Sequence, residues 1–290
     1  MLSLACQNTF SITTLQRLGD ESKWSPYIDL LPENYDHIPQ HFSDKLLTEL
    51  QSSLLRQRAV QEREKEQQRF MRYQKLLRDV SASIEFGDMP TFDEFVWANG
   101  VLNSRRIWWN NRGHLVPLLD AINCRSPSNQ PVHRTTGDND LQMAITRAPR
   151  DFAEGEEVFE NYGQSNFIYF LYHGFSLTPN PHDCVFVKPK SINLERCASV
   201  KLRHGMQLEE FVEILDSYET SIDEDKDILK KLVADQTHNA DDSDTELSKR
   251  IAIVRFRLTE KRVLQKIIDT MRQEQDKENA EKNDELRDEL

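Results

Sequence analysis

Residues 157–175 read EVFENYGQSNFIYFLYHGF. This stretch is dense in aromatic side chains and interrupted twice by glycine, in a chain of 290 residues of which 30% are charged. The run EEVFENYG is typical of a short strand that ends in a turn. On these residues alone, Tyr162 is either a buried aromatic at a strand end or the edge of a functional pocket.

Length and charge narrow the classes of protein to consider. A chain of 290 residues is long enough for one large domain or two ordinary ones. Its formal net charge of −12 and its pI of about 5.2 argue against nucleic acid and membrane surfaces as partners, because both are anionic. The charge favours a protein or peptide partner with a basic segment.

The cysteines and the two ends of the sequence bear on the compartment. The four cysteines form no CxxC pair, and no histidine stands at zinc-finger spacing, so we expect no structural metal site, no disulfide framework and a reducing, cytoplasmic or nuclear compartment. The start has no basic leader, which argues against a secretory signal. The last four residues, Arg287 to Leu290, resemble an endoplasmic-reticulum retention signal, and we interpret the match as chance.

The pattern along the chain predicts an α+β protein with helical flanks. Apolar spacing over 43–80 predicts one long helix, or two end to end, with a solvated middle. Thr91 and Glu94 have the spacing of a capping box at the next helix start. Residues 114–189 carry short strands and turns, with a loop over 125–140.

The C-terminal third is predicted to be helical. LEEFVEILDSYE (208–219) and the long stretch from Glu246 are amphipathic, with an acidic break at 237–248. From Glu274 onward nearly every residue is charged, which is typical of a fraying helix end or of disorder.

Signatures of the large nucleotide-binding and hydrolase classes are absent: the sequence has no GxGxxG, Walker loop, HExxH or GxSxG. Six separated stretches instead make sense together. They are WSPYIDLLP (24–32), NSRRIWW (103–109), LVPLLDAINC (115–124), GEEVFENYGQSN (155–166), YHGF (172–175) and NPHDCVFV (180–187).

In order and approximate spacing, these stretches resemble the SET-domain protein methyltransferases, in the branch typified by the Rubisco large-subunit methyltransferase, which includes the actin-histidine methyltransferase. The resemblance implies a SET core of short strands with a helical insert and an all-α substrate-binding-like domain. The domains it implies are a remnant of the N-terminal SET region (1–19), the insert (20–100), the C-terminal SET core (101–188) and the helical domain with its acidic tail (189–290).

The resemblance also implies an activity, namely methyl transfer from S-adenosylmethionine to a side-chain nitrogen of a non-histone protein. Lysine is the preferred acceptor and histidine the second choice, and we expect a monomer. Such a displacement needs no proton relay, so positioning and the exclusion of water carry most of the rate. Tyr162 matches the catalytic tyrosine of the family.

Seven residues match the family's cofactor site: Arg105, Asp120, Asn123, Cys124, His173, Gly174 and Phe175. Four of them also have an ordinary structural interpretation: turn chemistry for Asp120 and Asn123, a surface ion pair for Arg105 and core packing for Phe175. Trp108 and Trp109 could line the substrate side, although core packing is the preferred interpretation for both.

Three departures from the family pattern stand out. Cys124 replaces a histidine, and His173 stands where a tyrosine is expected. No glycine-rich strand of Gly-x-Gly type is found, and the first of the nine glycines is Gly19. We therefore expect the N-terminal strand region to be missing, which leaves a second hypothesis: a truncated, non-catalytic protein-interaction module.

Overall fold

The computed structural model describes residues 12–14, 16–81, 88–109, 112–126, 136–138, 143–145, 147–148, 150–238 and 245–288. The chain forms two compact units. The first unit comprises Met1–His41 and Ala59–Gly163, and the second comprises Phe42–Arg58 and Gln164–Leu290. The expected remnant over 1–19, the loop at 125–140, the break at 237–248 and the last four residues lie partly outside the described ranges. The domain boundaries expected from the sequence stay predictions.

Helices dominate both ends of the described chain, as the sequence predicts. The α-helices are α1 Ser25–Ile28, α2 Asp44–Thr48, α3 Leu54–Ser81, α4 Phe92–Arg105, α5 Asn166–His173, α6 Leu208–Asp216, α7 Ile222–His238 and α8 Thr245–Asp288. Short 3-10 helices cover Gly19–Glu21, Pro39–His41 and Leu119–Ala121. The charged C-terminal stretch is therefore a continuation of α8 as far as Asp288.

The strands are short and pair two by two. They are β1 Ile107–Trp109, β2 Arg112–His114, β3 Asn123–Cys124, β4 Thr136–Asp138, β5 Met143–Ile145, β6 Phe159–Glu160, β7 Val185–Val187 and β8 Arg196–Ala198. The antiparallel pairs are β1–β2, β4–β5 and β7–β8, whereas β3 and β6 pair in parallel, with Asn123 opposite Phe159. The expected mix of helices and small sheets is confirmed. The prediction of a loop over 125–140 is wrong at Thr136–Asp138, which form β4.

Helix α4 begins as the sequence predicts. The Thr91 hydroxyl accepts a hydrogen bond from the Glu94 amide at 3.2 Å, and the Glu94 carboxylate accepts one from the Thr91 amide at 2.7 Å. This reciprocal capping satisfies two amides that the first helical turn leaves unpaired. The buried face of α4 completes a core cluster in the first unit: Ile12, Leu31, Tyr35, Ile38, Trp97, Ala98, Val101 and Leu102.

The middle of α3 is not wholly solvated, so that prediction is wrong. Ala59, Glu62 and Glu66 form a buried stripe at helical spacing. Glu62 accepts hydrogen bonds from Lys65 and Arg69, and Glu66 accepts one from Gln40. Glutamates are usually exposed, so the sequence predicts them on the surface. In this helix their carboxylates are buried and lie next to hydrogen-bond donors.

Two further expectations are corrected. Trp108 is 64% exposed, with the Arg106 guanidinium 5.1 Å from its ring centroid, so it does not pack in a core. In the second unit Cys184 and Cys197 form a disulfide, with Cα atoms 5.5 Å apart, although the sequence predicted no disulfide. The pairing of β7 with β8 brings the two cysteines together, and spacing alone cannot show this.

The core of the second unit gathers around the middle of α8. One cluster contains Val185, Val187, Ala198, Met206, Phe211, Tyr218, Leu264, Ile267 and Ile268. A second cluster, which includes Leu232, Ile251 and Leu258, joins α7 to α8. No helix within the described ranges has the length and apolar content needed to cross a membrane.

Candidate active site

A tight turn at Asn161-Tyr162-Gly163 follows strand β6. Strand β6 ends at Glu160, and the Asn161 side-chain oxygen then accepts a hydrogen bond from the Gly163 amide at 2.7 Å. Gly163 has φ of +68°, a conformation that glycine adopts without strain. The turn presents the Tyr162 side chain at the carboxyl end of β6.

The Tyr162 hydroxyl is fixed by the strand that pairs with β6. It donates a hydrogen bond to the Ile122 carbonyl oxygen at 2.7 Å, and Ile122 directly precedes β3. Burial, followed by the nearby Cys124 and Glu160, raises the pKa of Tyr162 well above its usual value. The phenol therefore stays protonated near neutral pH and is a fixed donor to this backbone carbonyl.

Asp120 forms the buried part of this site. Its carboxyl group is fully covered, and Oδ2 accepts a hydrogen bond from the Tyr27 hydroxyl at 2.5 Å. The Arg105 guanidinium donates to the Asp120 carbonyl oxygen at 3.1 Å and lies 3.9 Å from Oδ2. Burial raises the pKa of Asp120, while Tyr27 and Arg105 oppose that rise. Oδ1 has no hydrogen-bond partner in the described part of the chain.

Within the first unit the structure thus brings together Tyr162, Arg105 and Asp120. Asn123 follows in β3, but its side-chain amide is exposed and donates to the Glu157 carboxylate at 2.7 Å. Cys124 is half-buried. Two members of this site were not predicted from the sequence, Tyr27 and the Ile122 carbonyl, although Tyr27 lies in the WSPYIDLLP stretch.

The other three matched residues lie in the second unit, at the carboxyl end of α5. Gly174 has φ of +74° and ends the helix, with its amide donating to the Phe170 carbonyl at 3.1 Å. The Phe175 ring stacks on Tyr169 with centroids 5.1 Å apart, and His173 lies 5.8 Å from Phe175. These contacts define a small aromatic cluster.

No group of three or more potential ligand side chains among the described residues could hold a metal ion. The polar groups present suit a cationic organic cofactor. The cluster of oxygens in the first unit comprises the Tyr162 hydroxyl, the Ile122 carbonyl and a buried carboxylate with an unpaired Oδ1. Since buried acceptors are normally satisfied, such a cluster fits a ligand that brings positive charge, such as a sulfonium.

Three kinds of known protein resemble this chain: a family model, named relatives and solved structures. Residues 206–264 match the family model "Rubisco LSMT substrate-binding". A Nicotiana tabacum protein named as the chloroplastic Rubisco large subunit N-methyltransferase is 29% identical over 55% of this chain and 34% of its own length. A Canis lupus familiaris actin-histidine N-methyltransferase is 27% identical over 60% of this chain and 30% of its own length.

Solved structures show the same fold. A "SET domain of LSMT bound to Lysine and AdoHcy" aligns with a TM-score of 0.64 at 19% identity, covering 92% of this chain and 74% of that one. "Rubisco LSMT bound to AdoMet" aligns with a TM-score of 0.62. The fold is that of a SET-domain protein. The chain is similar to SET-domain protein methyltransferases of the Rubisco large-subunit methyltransferase branch, and it spans about a third of the length of the curated relatives it matches.

Proposed function

We propose that this chain belongs to an S-adenosylmethionine-dependent protein N-methyltransferase. The observation that carries the proposal is the hydrogen bond of 2.7 Å from the Tyr162 hydroxyl to the Ile122 carbonyl oxygen, at the position the family resemblance assigns to the catalytic tyrosine. The relatives are named as methyltransferases of lysine and of histidine in proteins, which supports the same class of reaction here.

S-adenosylmethionine, when bound, supplies an electrophilic methyl group on a positively charged sulfur. The proposed role of this chain is to hold that group and an amine in line, and to exclude water. The protonated Tyr162 hydroxyl and the Ile122 carbonyl would present adjacent oxygens to the reacting atoms. The 119–124 segment, with Asp120, Asn123 and Cys124, would hold the cofactor mainly through backbone groups, while Arg105 would fix that segment.

For the second unit, we propose that His173, Gly174 and Phe175 contribute to the cofactor side as well. The aromatic stacking of Phe175 on Tyr169 gives that segment a fixed shape. The proposed acceptor is lysine first and histidine second, in a protein partner with a basic segment. The net charge of −12 supports such a partner, because complementary charge speeds encounter.

Two measurements test the proposal. Calorimetry with S-adenosylmethionine should show saturable binding to this chain. Transfer of a tritiated methyl group should then be measured on Rubisco large subunit and actin, for which the two relatives above are named. Fructose-bisphosphate aldolase is a third candidate, because a similar Arabidopsis thaliana protein is named as its lysine N-methyltransferase. With the accepted protein, Tyr162→Phe should lower kcat by at least about 100-fold, since it removes a group that positions the reacting atoms.

A matched control separates this effect from general damage. Tyr73→Phe removes a hydroxyl in the same unit but keeps a ring that packs on Phe95, so transfer should stay near the wild-type rate. Full turnover in folded Tyr162→Phe would remove the catalytic assignment. Absence of cofactor binding would overturn the enzyme proposal in favour of the non-catalytic interaction module.

A further inference from the structure

The WSPYIDLLP stretch contributes one long-range hydrogen bond to the candidate site. Its tyrosine, Tyr27, lies in α1 and reaches a residue 93 positions later in the sequence. The contact is a hydrogen bond of 2.5 Å to a carboxyl group that is fully buried. A buried charged acceptor makes a stronger hydrogen bond than a neutral one, so the contact is a firm anchor.

The anchored segment is short and tightly constrained. Leu118 has φ of +78°, which a residue with a side chain adopts only when its surroundings impose it. The Asp120 amide donates to the Val116 carbonyl at 3.1 Å, and the Ile122 amide donates to the Leu119 carbonyl at 3.2 Å. With Asp120 fixed, little freedom remains for a carbonyl two residues further along.

That carbonyl is the acceptor of Tyr162. We propose that Tyr27 is a positioning residue: through Asp120 it fixes the 118–122 segment, and thereby the Ile122 carbonyl that orients the Tyr162 hydroxyl. Arg105 acts on the same segment from another side, through the Asp120 carbonyl. The catalytic consequence of this inference rests on the proposed function, whereas the coupling between Tyr27 and Tyr162 does not.

The test uses the whole chain labelled with 3-fluorotyrosine and observed by fluorine NMR. The chain has seven tyrosines, and the Tyr162→Phe variant identifies the signal of Tyr162. Tyr27→Phe keeps the ring but removes the donor to Asp120. We expect the Tyr162 signal to shift or broaden in Tyr27→Phe and to stay at its wild-type position in the control Tyr73→Phe.

The rate of methyl transfer provides a second test of the positioning role. Tyr27→Phe should lower kcat by about 10-fold to 100-fold, because small misplacement of a positioning group is costly. The dissociation constant for S-adenosylmethionine should change by less than about threefold. In a Tyr162→Phe background, Tyr27→Phe should have little further effect on turnover, since residues that act as one unit are not additive.

The outcomes separate the two proposals. An unmoved Tyr162 signal in folded Tyr27→Phe overturns the positioning role, whatever the activity. If Tyr27→Phe does not fold, Asp120→Asn can replace it, because it weakens the same hydrogen bond and keeps a side chain of the same size. An unmoved Tyr162 signal in Asp120→Asn would also overturn the positioning role of Tyr27. If Tyr162→Phe turns over normally while the signal still moves in Tyr27→Phe, the catalytic proposal fails and the coupling stands.

Discussion

Replacing Asp225 by asparagine should destabilise the second unit severely. Asp225 lies in α7 with its side chain fully buried, and it serves two buried cations of α8. Its Oδ2 accepts hydrogen bonds from Arg257 Nε at 2.9 Å and from Lys261 Nζ at 2.8 Å. Arg257 also pairs with Oδ1, which accepts from Thr220 as well. One carboxylate therefore compensates two charges that water does not reach.

The magnitude follows from that arrangement. Burial lowers the pKa of Lys261 and Asp225 opposes the shift, so the carboxylate stabilises the charged form of the ammonium group. Removing one partner of a buried ion pair costs about 3–5 kcal/mol, because the other charge is left uncompensated. At about 2–4 °C per kcal/mol for a domain of this size, the melting temperature should fall by roughly 6–20 °C.

Differential scanning calorimetry at pH 7 checks this expectation, with urea unfolding as a second measure. The matched control is Asp223→Asn, in the same helix, where the side chain is 87% exposed and pairs with Lys226 at 2.7 Å. That pair is exposed to solvent and should contribute little to stability. In the Asp225→Asn background, Arg257→Met should recover stability, since it removes an uncompensated charge. A loss for Asp225→Asn no larger than for Asp223→Asn would refute the reasoning.

Two further predictions concern the first unit. Burial raises the pKa of Glu66 to about 7, because the fold favours the protonated carboxyl group. The stabilisation from this group is therefore fully present below about pH 4.5 and is lost as the pH rises through 7. Glu66→Gln should therefore flatten the decline between pH 5 and 7 and be more stable by about 3 kcal/mol at pH 8, in urea unfolding followed across pH. Gly100→Ala would place a methyl group 2.3 Å from the Tyr35 ring, and calorimetry should show a loss of about 1–3 kcal/mol; an unchanged melting temperature would contradict this packing.

The local structure of the site follows from residues close together in sequence. Short apolar runs and turn residues predict β6 and the turn at Asn161-Tyr162-Gly163, and the spacing of Thr91 and Glu94 predicts the start of α4. These features depend on hydrogen bonds between residues two or three positions apart. A reader of the sequence alone can therefore place Tyr162 at a strand end.

Long-range contacts could not be predicted in the same way. Asp120 looks like an ordinary turn residue, and its partner Tyr27 lies 93 positions away. Glu66 stands in a helical run that is almost wholly polar, yet the fold covers it and shifts its pKa. In each case the decisive quantity is burial by segments distant in sequence, which composition and periodicity do not report.

The motifs that carry the family resemblance are each common, and the structure gives a physical reason why their joint occurrence is specific. In the first unit, WSPYIDLLP contacts LVPLLDAINC through Tyr27 and Asp120, and NSRRIWW contacts it through Arg105. GEEVFENYG contacts the same stretch through the β3–β6 pairing and the Tyr162 hydroxyl. Three stretches spread over 24–163 therefore converge on the segment 119–124, which belongs to the fourth. A change in any one of these stretches alters the hydrogen bonds available to the others. Because the stretches form one network, their joint occurrence identifies the fold better than any one of them does.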